Sequence, residues 1–223
     1  MDSTVETTAT PHADGEHHSA IVVWFEKNRK LVSYAALAVA VVAIGAWLFI
    51  ETGRRKASAA ADALEGARSA YDNGDLPAAS SAFQQVAQAF SGTEAAYQAE
   101  LGLNEVRLAS GQTQLAVDEL RKFIGTTPPA FYASGAYSLM AGALENLKKY
   151  DDAAKAYTQA ADAASEDYRK VDALLGAARA FRLAGKDKEA ADALRGIVSK
   201  FTKETPGVAE AEVRLSELTK GAM

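Results

Sequence analysis

The densest run of apolar positions is Leu31 to Ile50, LVSYAALAVAVVAIGAWLFI, with no charge in its twenty residues. At 1.5 Å rise per residue such a run makes about 30 Å of helix, the thickness of a bilayer core. Trp24, Phe25 and Tyr34 stand at one end and Trp47 and Phe49 at the other, where interfacial aromatic belts belong. The pattern predicts an uncleaved transmembrane helix. A signal peptide would carry a shorter apolar stretch near its start and a small-residue cleavage site. Here about thirty mostly polar residues come first, and the run ends Trp-Leu-Phe-Ile.

Beyond residue 56 the pattern changes to the helical period. Tyr150, Ala153, Ala154, Tyr157 and Ala161 form one apolar stripe at i, i+3, i+4, i+7 spacing. The same stripe recurs. GDLPAASSAFQQV from Gly74, GQTQLAVDELRKF from Gly111, KKYDDAAKAYTQA from Lys148 and GKDKEAADALRGI from Gly185 align without gaps, each opening 37 residues after the last. Five positions on stand Ala79, Ala116, Ala153 and Ala190; four further come Phe83, Leu120, Tyr157 and Leu194. Seven residues ahead of each opening lie Ala67, Asn104, Ala141 and Ala178. Small residues let two helices approach, and the large residue four later fills the space beside them. The opening Gly or Lys marks a turn between helix A and helix B of a pair, where glycine takes φ > 0. No pair buries its stripe alone, so the pairs must stack.

Charge and composition close off several functions. A net charge of −5 and a pI near 5.3 argue against nucleic acid, which needs a basic surface. There is no cysteine, which excludes disulfides, thiolate metal sites and a cysteine nucleophile. All three histidines, His12, His17 and His18, lie in the polar tail of residues 1–20, read as disordered and solvated rather than as a metal site. The repeats therefore hold no Ser/His or Cys/His pair, and neither a P-loop nor a G-x-G-x-x-G occurs. No catalysis and no cofactor are expected. Carboxylate pairs such as Asp151 with Asp152, or Glu210 with Glu212, read as solvated helix faces.

The repeated pattern resembles the tetratricopeptide repeat. The third unit carries it best, with Tyr137, Met140, Ala141 and Leu144 before the turn and Tyr150, Ala153, Tyr157 and Ala160 after it. The fourth follows with Leu174, Ala177, Ala178 and Phe181, then Ala190, Leu194 and Ile197. The resemblance covers about residues 57–204, with Pro206 starting a last helix to about Leu218. The period of 37 exceeds the usual 34. Asn104, in place of a small residue, predicts distortion of the second unit. The expected fold is all-α: one N-terminal transmembrane helix, then a tetratricopeptide-repeat-like α-solenoid of about four helix pairs and a C-terminal capping helix. Its expected parts are a tail over 1–20, an anchor with flanks over 21–56 and the solenoid over 57–223.

The layout as a whole, an acidic tail, the segment WFEKNRK, a single span and repeats after it, resembles the YfgM-type ancillary subunits of the bacterial Sec translocon. That resemblance implies a bacterial inner-membrane protein with periplasmic repeats that associate with the translocon, periplasmic chaperones or exported clients. The charge flanks do not decide orientation: Lys27, Arg29 and Lys30 precede the span, and Arg54, Arg55 and Lys56 follow it. Two alternatives stay open, a subunit that builds a homo-oligomer or envelope complex without capturing clients, and a cytoplasm-facing adaptor.

Stacked A helices line the inner face of such a solenoid, so that face is the candidate partner groove. By register it holds Leu64, Arg68, Leu101, Glu105, Ser138, Asn146, Leu175, Arg179 and Arg182. Tetratricopeptide domains that clamp a C-terminal carboxylate use Lys, Asn and Arg at set inner positions. Here Leu64, Leu101, Ser138 and Leu175 stand there, which points away from a clamp. The leucines read equally as an apolar groove for a peptide or as packing between neighbouring A helices.

Overall fold

In the computed structural model, residues 22–220 are described, in two units divided between Arg55 and Lys56. The tail of residues 1–20, with its three histidines, lies outside the described residues. So does the end of the chain after residue 220. All the described secondary structure is helical.

In the first unit a helical segment over 22–27 leads into helix α1 (Arg29–Asp72). Side chains from Leu31 to Ile50 are exposed almost throughout. The run is long and apolar enough to cross a membrane, and no part of it is buried. Just beyond it, Thr52 satisfies its hydroxyl by donating to the carbonyl of Leu48 at 2.8 Å.

The second unit contains the end of α1 and eight further helices: α2 (Leu76–Ala89), α3 (Glu94–Ala109), α4 (Thr113–Gly125), α5 (Ala130–Asn146), α6 (Tyr150–Ala163), α7 (Asp167–Leu183), α8 (Asp187–Lys200) and α9 (Val208–Lys220). Helices α1, α3, α5 and α7 are the A members of four pairs, and α2, α4, α6 and α8 the B members. The repeated turn is one structure four times. Gly74, Gly111, Lys148 and Gly185 have φ of 76, 74, 57 and 75°. After each, an amide donates to the carbonyl five residues back: Asp75 to Ala70, Gln112 to Arg107, Lys149 to Leu144 and Lys186 to Phe181, at 2.8–3.0 Å. This is the Schellman closure, which satisfies the last carbonyls of one helix while reversing the chain into the next. The third turn holds the left-handed conformation without glycine.

The packing positions follow the repeat. Ala79, Ala116, Ala153 and Ala190 are fully buried, and Phe83, Leu120, Tyr157 and Leu194 fill the space beside them. The two aromatic members also look toward the next A helix. A Cβ placed on Gly102 would lie 2.7 Å from the Phe83 ring, and one on Gly176 would lie 2.8 Å from the Tyr157 ring. The two aromatic residues thus face glycines, while Leu120 and Leu194 have Leu139 and Val213 at the corresponding places. At the N-terminal end the same register holds Glu65, which is exposed.

One boundary differs from the sequence reading. The last helix begins two residues after Pro206, because Gly207 takes φ 90° and its missing Cβ admits Val171. The turn of the second pair is regular, its φ matching those of the first and fourth, and Asn104 lies buried ahead of it. Its amide is satisfied inside the pair, donating to the Glu100 carbonyl at 2.8 Å and accepting from Arg107 Nη1 at 2.9 Å. Helix α9 caps the stack. It buries Val208 and Ala211 against α7 and α8, yet carries Glu210, Arg214 and Glu217 where the earlier A helices hold Ala136, Met140 and Ala143. A further pair could not pack on those charges.

Candidate partner-binding face

The A helices are joined to one another by polar bridges about one repeat apart in sequence. Arg68 on α1 hydrogen-bonds Gln98 on α3. Gln98 approaches the Tyr132 hydroxyl on α5 at 3.5 Å, and Tyr97 stacks on Tyr132 with centroids 5.2 Å apart. Arg169 on α7 donates to the Phe131 carbonyl on α5 at 3.1 Å and lies 4.1 Å above the Phe131 ring. Arg179 on α7 grips Glu145 on α5 through Nε and Nη2, at 3.2 and 3.1 Å. Its Nη2 also reaches the Tyr157 hydroxyl of α6 at 2.9 Å. A fork bound to a carboxylate in two places fixes orientation as well as charge.

Of the expected groove residues, Arg68, Glu105, Asn146, Arg179 and Arg182 are exposed and Ser138 half-buried. Leu64 and Leu175 are only 5 and 6 % exposed, in core clusters, and Leu101 packs half-buried against the central core. Burial therefore supports the packing reading of the leucines. Ser138 and Leu175 do meet at one pocket of about 440 Å³, shared with Tyr168, Arg169, Asp172 and Glu210. Arg179 and Arg182 line another, of about 370 Å³, with Arg214 of α9. Asn146 stands apart from both.

Electrostatics tune this face locally. Although its side chain reaches solvent, partial desolvation raises the Glu105 carboxyl above its ordinary value, opposed by the nearby Arg68 charge. Burial likewise raises the Tyr157 phenol, so it stays a neutral donor and acceptor beside Arg179. Sequence reasoning missed Gln98, Phe131, Glu145 and Arg169. The signal available was the spacing: 34 residues separate Glu145 from Arg179, and 38 separate Phe131 from Arg169. Among the described residues no three metal-ligating side chains converge.

Comparison with known proteins agrees with this architecture. Residues 23–170 match the family described as tetratricopeptide repeat-like domain, and residues 139–209 match a tetratricopeptide repeat family. The nearly identical tetratricopeptide-like repeats of Podosopora anserina share 20 % identity and a TM-score of 0.57, over 72 % of this chain and 85 % of that one. A tetratricopeptide repeat protein from Parabacteroides merdae shares 14 % identity and a TM-score of 0.54, over 73 and 60 %. MamA protein shares 18 % identity and a TM-score of 0.51, over 72 and 86 %. These likenesses establish the fold. A search of curated protein sequences finds no match. With two thirds of its length inside the first family match, the chain belongs to the tetratricopeptide repeat-like domain family.

Proposed function

We propose that the chain is a membrane-anchored scaffold that holds protein partners on its A-helix face, with Leu31 to Ile50 as a single transmembrane span. The repeat fold is that of a protein–protein interaction scaffold, not of an enzyme. The observation that carries the anchored reading is the extent of the family match. It begins at residue 23, before the apolar run, and ends at residue 170, so the span and the first three helix pairs fall within one matched unit. The exposure of almost the whole run supports it, because an uncharged, mostly apolar run of twenty residues left in water would drive aggregation.

Within that reading the repeats face the periplasm of a bacterial inner membrane, and the partners are translocon subunits, chaperones or exported clients. The short acidic tail, which offers nothing that needs exporting, supports this orientation. Alkaline phosphatase and a cytoplasm-only fluorescent protein, each fused after Met223, test it. Active phosphatase with a dark fluorophore is expected. A bright fluorophore with inactive phosphatase would reverse the orientation and remove the translocon assignment with it.

A further inference from the structure

The repeats invite a position-by-position comparison, and the second pair fails it in one direction. Glu100 stands where the other pairs have Ala63, Tyr137 and Leu174. Asn104 replaces Ala67, Ala141 and Ala178; Arg107 replaces Ala70, Leu144 and Phe181; Glu119 replaces Ala82, Ala156 and Ala193. Four positions that are apolar in the other three pairs are all polar or charged in the second. They fall on α3 and α4, on the surfaces that each pair otherwise turns inward. Asn104 is fully buried there.

The core shows the consequence independently. One cluster of fully buried apolar residues runs through α1, α2 and α3 and ends at Val106. The next begins at Val117 on α4 and continues to α7. No helix contributes fully buried residues to both. Only half-buried Tyr97, Leu101 and Leu108 reach across from α3. The following junction is different: α7 places buried residues in both the central and the C-terminal clusters. A pocket of about 410 Å³ opens where α2, α3 and α4 meet, lined by Ala87, Gly92, Tyr97, Glu100, Glu119 and Phe123. Burial raises the Glu100 carboxyl, opposed by Arg107 and reinforced by Glu119. Lys122 is held on the outside by Glu119, at 2.7 Å.

We infer that the α3/α4 pair is a hinge dividing the repeats into two blocks, residues 57–109 and 113–220, that move against each other and so change the span of the A-helix face. In a stack where each element contacts only its neighbours, stability is local, and a weak interface opens without melting the rest. A buried polar interface is weak relative to an apolar one of the same volume, since desolvation of its charges offsets their attraction. A bound partner that touches both blocks would select one opening of the hinge.

The absence of cysteine makes the test direct. Spin labels on Ser81→Cys and Ser199→Cys, on α2 and α8, report across the hinge in the full chain held in detergent micelles. Labels on Asp162→Cys and Ser199→Cys, on α6 and α8, report within one block. The cross-hinge distance distribution should be clearly broader. Glu100→Leu, Asn104→Ala, Arg107→Leu and Glu119→Ala together, residue types taken from the other pairs, should narrow it to the within-block width. They should also slow amide exchange in α3 and α4 by about tenfold or more. A cross-hinge distribution as narrow as the within-block one in the native chain overturns the inference, and that comparison needs no substitution in the hinge. So does an apolar variant that folds but leaves width and exchange unchanged.

Discussion

Gly102 offers a sharp test of the packing register, because two opposed effects can be sized there. It lies inside α3, and replacing a helical glycine by alanine normally stabilises by up to about 1 kcal/mol through propensity. Here the new Cβ would stand 2.7 Å from Cε1 and Cζ of Phe83 and 3.1 Å from its Cδ1. A buried ring cannot swing aside as a flexible chain end does, and overpacking of this kind costs about 1–3 kcal/mol. The clash wins, and Gly102→Ala should lower stability by about 1 kcal/mol net. Gly196, inside α8, is the control, since a Cβ there meets nothing within 4 Å. Gly196→Ala should stabilise by up to about 1 kcal/mol. Urea melts of the full chain in detergent, followed by helical circular dichroism, would compare the two. Phe83→Leu adds a second arm, because leucine stands at this place in the second and fourth pairs. The double variant Phe83→Leu with Gly102→Ala should be more stable than the sum of the single effects by about 1 kcal/mol. Equal gains from Gly102→Ala and Gly196→Ala, or strict additivity with Phe83→Leu, would refute the register.

Other consequences follow from the same structure. Lys148→Gly should stabilise by up to about 1 kcal/mol by relieving a left-handed residue at φ 57°, whereas Gly111→Ala, at φ 74°, should lose about as much; thermal melts read both. Ala153→Leu should cost about 1–3 kcal/mol at its fully buried site, and Lys155→Leu, on the exposed side of the same helix, within about 0.5 kcal/mol. The raised Glu100 carboxyl favours the folded state when protonated, so its contribution is full below the ordinary value of 4.5 and is lost as pH rises through the raised one. Glu100→Gln should therefore raise the urea midpoint at pH 7.5 and flatten its dependence on pH in the mildly acidic range.

Repeats are legible because one error must be made four times to mislead. The alanines at 79, 116, 153 and 190 and the turn residues 37 apart place every helix pair from the sequence alone. Even Lys148 is identified as a turn residue by register alone, against its own conformational preference. The A-helix face was harder. Inner-face register finds Arg68, Arg179 and Arg182, but it cannot tell a leucine in a groove from one packed between helices. Leu64 and Leu175 are the second kind because neighbouring helices close over them. The bridging partners Gln98 and Glu145 were missed because each lies on a neighbouring helix, where pattern within one helix carries no information. The break in the core is in view as Asn104, which predicts distortion of the second unit. Its meaning emerges only with Glu100, Arg107 and Glu119, which lie on two helices and converge when those helices pack.

The measurement that bears most directly on the scaffold reading is site-specific photocrosslinking in living cells. The photoreactive residue would replace Asn146 or Arg182 on the A-helix face, and Ser81 or Lys155 on the B helices, all exposed positions. The account predicts discrete adducts with other proteins from the A-helix positions and few from the B helices. Adducts of equal yield from both faces, or adducts with this chain alone, would contradict it.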